Sequence, residues 1–348
     1  MTNGLGKFDK FPRAELAMVP TPMEAMPNLS KFLDGPNLFV KRDDLTGLAM
    51  GGNKARQIEF YFGEAIAQKA DVILITGAIQ SNFIRSAAAA AAAAKLGMDC
   101  HVQLEERVPN VDQTHRVSGN VLLDKLFGAT IYSYPDGEDE AGADRNINEI
   151  AGGLKKQGKI PYIIPLSPGH APLGAMGYIV AAQEILEQLK QSGQQIDEIV
   201  LASGSTSTHA GMLYGLRALG SRLPVAGICV RRNREQQAPR VLARCTELSK
   251  LLGTSEYVTA DDIILNDVPL APGYGQLNPL TIEALKLAAR TEGLLLDPVY
   301  TGKVMAGMIN RVRENIYAKN ANILFLHTGG QPALFAYEPE LTAALDAT

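Results

Sequence analysis

A lysine attacks a carbonyl only as the neutral amine, and the sequence places one where a pocket could favour that form. Gly51-Gly52-Asn53-Lys54 follows Lys41-Arg42-Asp43-Asp44-Leu45. Two adjacent glycines let the backbone turn sharply, or leave room for a ligand, just where Lys54 emerges onto a new helix. Alone, Lys54 reads equally well as a solvated charge on a helix-entry loop. Company shifts the odds. Gly77-Ala78-Ile79-Gln80-Ser81-Asn82 joins an aliphatic strand to a helix, where unpaired N–H groups and the helix dipole suit a carboxylate or phosphate. The duller role for Ser81 or Asn82 is to cap that helix.

Ser203-Gly204-Ser205-Thr206-Ser207-Thr208-His209-Ala210-Gly211 is a third strand-to-helix turn. Four consecutive hydroxyl residues after a glycine offer many donors and no fixed charge, as a phosphate dianion requires. The pattern is neither Walker A nor GxGxxG, so a nucleotide is not the natural ligand. Gly153 to Lys159 matches GxxxxGK, but it precedes a strand and lacks the final hydroxyl residue, so it is chance. A fourth group is Asp297-Pro298-Val299-Tyr300-Thr301-Gly302-Lys303, with Ala271-Pro272-Gly273-Tyr274-Gly275 before it and His327-Thr328-Gly329-Gly330 after. Glycine-flanked tyrosines can bring a phenol to a reacting centre, although tyrosine more often packs.

These loops need a frame. Short aliphatic runs alternate with segments of helical period: Val72 to Thr76 before an alanine-rich helix, Tyr162 to Pro165 before a helix from about Gly174 to Lys190, and Ile199 to Ala202 before one at Gly211 to Leu219. Further strands fit Leu38 to Lys41, Cys100 to Leu104, Val225 to Val230 and Ile323 to Leu326. The alternation predicts parallel sheets covered by helices, and eight to ten strands exceed one small sheet. The run Ala87 to Ala94 reads as a helix that others approach closely. Asp136 to Glu140 reads as a solvated loop.

The chain has 348 residues, which suggests about two domains. Lys and Arg total 33 against 37 Asp and Glu, a net charge of −4, too mild and mixed for a nucleic-acid or anionic-membrane binder. A small molecule is the better partner. Cys100, Cys229 and Cys245 lie far apart without CxxC spacing, so they form no evident disulfide framework or metal site and read as buried thiols. Without an apolar run of signal or membrane-span length, the sequence points to the cytoplasm.

Together, a loop lysine, an Asn-type anion loop, a hydroxyl-rich phosphate turn and a late loop describe a pyridoxal-phosphate site. The chain resembles the fold-type II, tryptophan-synthase-β-like enzymes, and within them the branch of aminocyclopropane-carboxylate deaminase, D-cysteine desulfhydrase and L-cysteate sulfo-lyase. The similarity runs in order from Phe11-Pro12-Arg13 and Pro20-Thr21-Pro22 through the motifs above to His327-Thr328-Gly329-Gly330.

The resemblance implies pyridoxal 5'-phosphate held covalently by Lys54, which later shuttles protons. It implies that Asn82 binds the cofactor's ring hydroxyl, and that Ser81 lies near the substrate carboxylate or α-proton. Gly204, Ser205, Thr206, Ser207 and Thr208 would cradle the phosphate, with Tyr274 and Tyr300 as the active-site tyrosines. The deaminase carries a carboxylate and a leucine where this chain has Thr301 and Thr328. A threonine leaves the pyridine nitrogen neutral, a weaker electron sink that still suffices to expel a good sulfur leaving group. Relative to desulfhydrases, Phe83 replaces a histidine, and Ser167-Pro168-Gly169-His170-Ala171 and Gly275-Gln276-Leu277 also differ. A leaving-group pocket with Phe83, His170 and hydroxyl donors suits a sulfonate, unless the loop has merely drifted.

The expected architecture is therefore α/β, with two domains that are each an open, mostly parallel sheet covered by helices: residues 57–166 the smaller, 1–56 plus 167–348 the larger, the cofactor in the cleft between them. A homodimer is implied. The expected activity is β-elimination from L-cysteate or D-cysteine, giving pyruvate, ammonia and sulfite or sulfide. The rivals are 1-aminocyclopropane-1-carboxylate deamination and a catalytically silent amino-acid-binding protein.

Overall fold

A computed structural model describes residues 4–92, 96–165 and 170–347. Its strands are β1 (Met23–Ala25), β2 (Asn37–Lys41), β3 (Val72–Ala78), β4 (Asp99–Glu105), β5 (Thr130–Tyr134), β6 (Pro161–Ile164), β7 (Glu198–Ser203), β8 (Val225–Cys229), β9 (Ile264–Asn266) and β10 (Asn322–Leu326). They form a six-stranded sheet, β1-β2-β10-β7-β8-β9, and a four-stranded sheet, β5-β4-β3-β6. All pairs are parallel except β1 with β2. Every residue of β3 and of β8 is buried, as strands covered by helices on both faces require, which is why they read as unbroken apolar runs. The strands absent from the sequence reading, β1, β5 and β9, lie at sheet edges, and none has a buried residue.

Lys54 enters a helix, Asn53–Ala67, that runs unbroken across the expected domain boundary at 56/57. This helix packs against Leu173–Ser192 so closely that a Cβ on Gly177 would fall 2.2 Å from the Arg56 carbonyl oxygen. The second expected boundary, at 166/167, lies outside the described residues. Gly211 lets the helix Ser207–Ala218 approach equally closely, its missing Cβ 2.2 Å from the Ala175 carbonyl. The alanine-rich helix spans Asn82–Ala91, beginning at Asn82 itself; residues 93–95 lie outside the described residues.

In parallel sheets ligands collect beyond the carboxyl ends of the strands. The motif loops leave from the ends of β3 (Gln80 to Asn82), β7 (Gly204 to Thr208) and β10 (His327 to Gly330). Cys100, Cys229 and Cys245 are buried free thiols, each pushed up to about 12 by burial. Among the described residues, no helix is long and apolar enough to cross a membrane.

Candidate active site

Lys54, Ser81, Asn82, Phe83, Gly204, Ser205, Thr206, Thr208, Tyr274, Tyr300 and Thr328 line one cavity of about 160 Å³. Lys54 is placed there by charges beneath its helix. Arg56 donates to both carboxylate oxygens of Asp43 at 3.0 and 2.8 Å and reaches Glu184 at 2.9 Å; Tyr178 donates to Asp43 at 2.7 Å. Lys41 donates to Glu184 and, at 2.7 Å, to Gln188. The Asp43 carbonyl accepts from Gly52 N–H at 3.0 Å, so the Lys-Arg-Asp-Asp motif anchors the turn before Lys54. Gly51 and Gly52 sit at φ +67° and +110°, conformations in which a side chain is strained.

The Lys54 amine has no carboxylate partner. It donates to Gln57 Oε1 at 3.1 Å and lies 5.2 Å from the centre of the Phe83 ring. Burial lowers it to about 8, so a substantial fraction is neutral near physiological pH. Gln57, which the sequence reading did not single out, also donates to Thr208 Oγ1 at 2.8 Å and so joins the lysine to the hydroxyl-rich turn.

Ser81 caps the helix, its Oγ accepting from Ile84 N–H at 3.2 Å, while its own proton remains free to donate. Asn82 is fixed from behind: Oδ1 accepts from Arg85 and from Asn120, each at 3.0 Å. Its NH₂ therefore faces the cavity as a donor. At the Gly204 turn, Gln237 holds the Gly204 carbonyl at 3.0 Å, and Thr206 adopts φ +74°. The first N–H groups of the helix Ser207–Ala218 have no side-chain cap, which leaves donors and the positive dipole end for an anion.

Tyr274 and Tyr300 meet hydroxyl to hydroxyl at 2.6 Å, and burial raises both above the ordinary phenol range. Asp297 builds the Tyr300 turn: its carboxylate accepts from the N–H groups of Val299, Tyr300 and Thr301 at 2.7 to 2.9 Å. Lys303, lowered to about 8 by burial, donates to the carbonyls of Leu270 and Gly273 and so secures the Tyr274 loop. His327 accepts from Gly329 N–H at Nδ1 (3.2 Å), which leaves Nε2 to donate to Leu295 O at 3.2 Å.

Three expected site residues lie elsewhere. Thr301 does not face the cavity; its hydroxyl is bonded to Asp297 Oδ1 at 2.7 Å, because a helix start with a buried aspartate needs that donor. His170 and Ser207 line a small adjoining pocket of about 20 Å³ that shares Phe83, Ser205 and Arg244 with the main cavity. Ser167 to Gly169 fall outside the described residues. The acidic loop is not simply solvated: Asp139 caps the helix Glu140–Lys156, and Glu140 accepts from Arg232 at 2.7 Å and pairs with Arg231 and Arg240. Arg107, Arg231, Arg232, Arg240 and Arg244 all border the main cavity, against only Glu140 and Glu247. Sequence reading missed this arginine rim, although Arg231-Arg232 and the i, i+4 pair Arg240 and Arg244 on the helix Arg234–Leu252 were a local signal for it; only Arg107 comes from a distant element. It also missed Arg85 and Asn120, and it quoted Asp297 in a motif without giving it a role; a lone charge in an alanine-rich helix was the available signal for Arg85.

A ring hydroxyl, a phosphate and an aldehyde each find a counterpart here: the Asn82 NH₂, the open helix start at Gly204 to Thr208, and the Lys54 amine, which among the described residues has no carboxylate partner. The residues therefore fit pyridoxal phosphate. A family model described as pyridoxal-phosphate dependent enzyme matches residues 14–329. D-cysteine desulfhydrase of Salmonella typhi is 42% identical over 338 residues, 97% of this chain and 99% of that one. A crystal structure of an ACC deaminase homologue superposes with TM-score 0.84 at 36% identity, covering 97% of each chain. A fungal L-serine ammonia-lyase from Rhizomucor miehei matches at TM-score 0.66 and 18% identity over 95% of this chain and 99% of that one, a likeness of fold.

Proposed function

Given that the chain belongs to the pyridoxal-phosphate dependent enzyme family, we propose that it is a carbon–sulfur lyase acting by β-elimination on a three-carbon amino acid with sulfur on its β-carbon. The observation that carries this reading is the Lys54 amine, without a carboxylate partner, in one cavity with Asn82 and the Tyr274–Tyr300 pair. D-cysteine is the substrate favoured by the 42% identity to D-cysteine desulfhydrase.

When bound, the cofactor would supply an aldehyde carbon that Lys54 and the substrate's amino group occupy in turn, and a sink for the electron pair left when Cα loses its proton. The chain's residues do the rest. Asn82 would donate to the ring hydroxyl, and the N–H groups from Gly204 to Thr208 with the hydroxyls of Ser205, Thr206 and Thr208 would hold the phosphate. Thr328, which lines the cavity, would supply the hydroxyl for the ring nitrogen in place of Thr301. Ser81 donates its free proton to the substrate carboxylate. Once displaced by the substrate amine, Lys54 is a neutral base that takes the Cα proton. The C–S bond then breaks with its electron pair on sulfur, and the tyrosine pair hands a proton to the departing group. The three-carbon enamine left after release adds water to give pyruvate and ammonia.

L-cysteate is the second reading, and the arginine rim favours it: a sulfonate is always anionic and suits guanidinium donors. His170 lies in a small adjoining pocket that shares Phe83, Ser205 and Arg244 with the main cavity. The structural likeness to an ACC deaminase homologue keeps 1-aminocyclopropane-1-carboxylate as a further candidate. The test is parallel assay of pyruvate from D-cysteine, L-cysteate and L-cysteine, and of 2-oxobutanoate from the cyclopropane. Pyruvate from a sulfur substrate with sulfide or sulfite in equal amount is expected. Product from the cyclopropane alone overturns the proposal, and turnover of none favours a silent binding protein. We further propose, from the resemblance alone, a homodimer in the cytoplasm.

A further inference from the structure

Arg85 is the sole ionised residue of the helix Asn82–Ala91, otherwise built of small, apolar and neutral polar side chains, and it is fully buried. A guanidinium taken out of water is costly unless its donors are met and its charge balanced. Here the two are separated. The buried carboxylate of Asp124, close enough to interact electrostatically, has no hydrogen-bond partner at either oxygen, and Arg85 Nε has none either. The remaining donors are aimed at neutral oxygens: Nη1 at Asn82 Oδ1 (3.0 Å) and Asn120 Oδ1 (3.1 Å), Nη2 at the Gly51 carbonyl (2.7 Å).

Two of those acceptors, Asn82 Oδ1 and the Gly51 carbonyl, belong to the segments that present Asn82 and Lys54, one leaving β3 and the other following β2, while Asn120 comes from the start of the helix Asn120–Leu126. With Arg85 and Asn120 Nδ2 both donating to Oδ1, turning the Asn82 amide over would set donors against donors, so its NH₂ is held toward the cavity. At the other end, a Cβ on Gly52 would come within 3.7 Å of Arg85 Nη2 and 3.0 Å of the Thr328 carbonyl, so the turn before Lys54 is seated directly on the guanidinium.

We infer that Arg85 is a positioning residue: its planar fork locks the Asn82 amide and the Gly51–Lys54 turn in one fixed relation to the cofactor. The inference rests on the reading that Asn82 faces the cofactor ring. Loss of the fork frees the amide to rotate and slackens the lysine turn, while Asp124 is left without its counter-charge.

The test uses Arg85→Gln, Arg85→Lys and Asn82→Ala, each loaded with pyridoxal phosphate. Cofactor dissociation constant and the pH titration of its visible absorbance are read beside the thermal midpoint. Arg85→Gln is expected to weaken cofactor binding about ten- to a hundredfold, as loss of charge-assisted hydrogen bonds does, and to move the absorbance titration in the direction that Asn82→Ala moves it. Arg85→Lys, a cation without the fork, should recover part of the shift, and it carries the same readout if Arg85→Gln does not fold. Wild-type dissociation constant and titration in both Arg85 variants, with Asn82→Ala shifted, overturn the inference alone. An unshifted Asn82→Ala overturns it together with the reading of Asn82.

Discussion

The hydroxyls of Tyr274 and Tyr300 lie 2.6 Å apart in the cavity wall, with their rings inclined at 69°. Burial keeps both phenols protonated at neutral pH, so one proton is held between them and the other is free for the cavity. On the proposed mechanism the two would act as one proton-donating unit. Tyr274→Phe and Tyr300→Phe should each lower kcat/KM by about 10²- to 10⁴-fold, the range for a lost acid–base group. The double variant should fall little further than the worse single one, because partners in one unit are not additive. Steady-state pyruvate release from the three proteins checks this.

The lowered affinity of Lys54 for its proton has a kinetic consequence. Only the neutral amine attacks the cofactor aldehyde, and burial sets its midpoint at about 8. Attachment of pyridoxal phosphate to the cofactor-free protein should slow about tenfold for each pH unit below that midpoint and level off above it. Stopped-flow absorbance across this range gives the profile. A midpoint near the ordinary lysine value would mean that the amine is solvated.

The two threonines should separate cleanly. Thr328 lines the cavity, whereas Thr301 bonds to Asp297. Thr328→Val should alter cofactor absorbance with the thermal midpoint nearly unchanged. Thr301→Val should do the reverse, at a cost of about 1–3 kcal/mol for unpairing a buried carboxylate, measured by denaturant unfolding.

Glu140 offsets part of the positive rim by pairing with Arg231, Arg232 and Arg240. These are partly exposed ion pairs, so Glu140→Gln should change stability by no more than about 1 kcal/mol. Its larger effect should be electrostatic. With the carboxylate gone, KM for an anionic amino acid should fall at low ionic strength and return toward the wild-type value above about 0.15 M salt. Steady-state assays at two ionic strengths decide it.

How far the sequence disclosed this arrangement depended on where each signal lay. The buried strands β3, β7, β8 and β10 announced themselves because helices on both faces demand unbroken apolar runs. The edge strands β1, β5 and β9 escaped notice because they carry polar, partly exposed residues. Lys54, Asn82 and the Gly204 turn were legible as loops between strand and helix, where an anion is held by local backbone. Thr301 was assigned to the ring from the resemblance, because the deaminase carries a carboxylate at the position after the tyrosine, yet the helix start turns its side chain onto Asp297. The arginine rim was only half legible: Arg231, Arg232, Arg240 and Arg244 cluster along one loop and the helix after it, a spacing that reads as a solvated face, whereas Arg107 joins them only in the folded chain.

The most direct test concerns Lys54 itself. The protein loaded with pyridoxal phosphate is reduced with borohydride, digested, and its peptides mapped by mass. The pyridoxyl group should sit on the peptide carrying Lys54, and Lys54→Ala should take up no label there. Labelling of Lys41 or Lys303 instead, or of no lysine at all, would contradict the account.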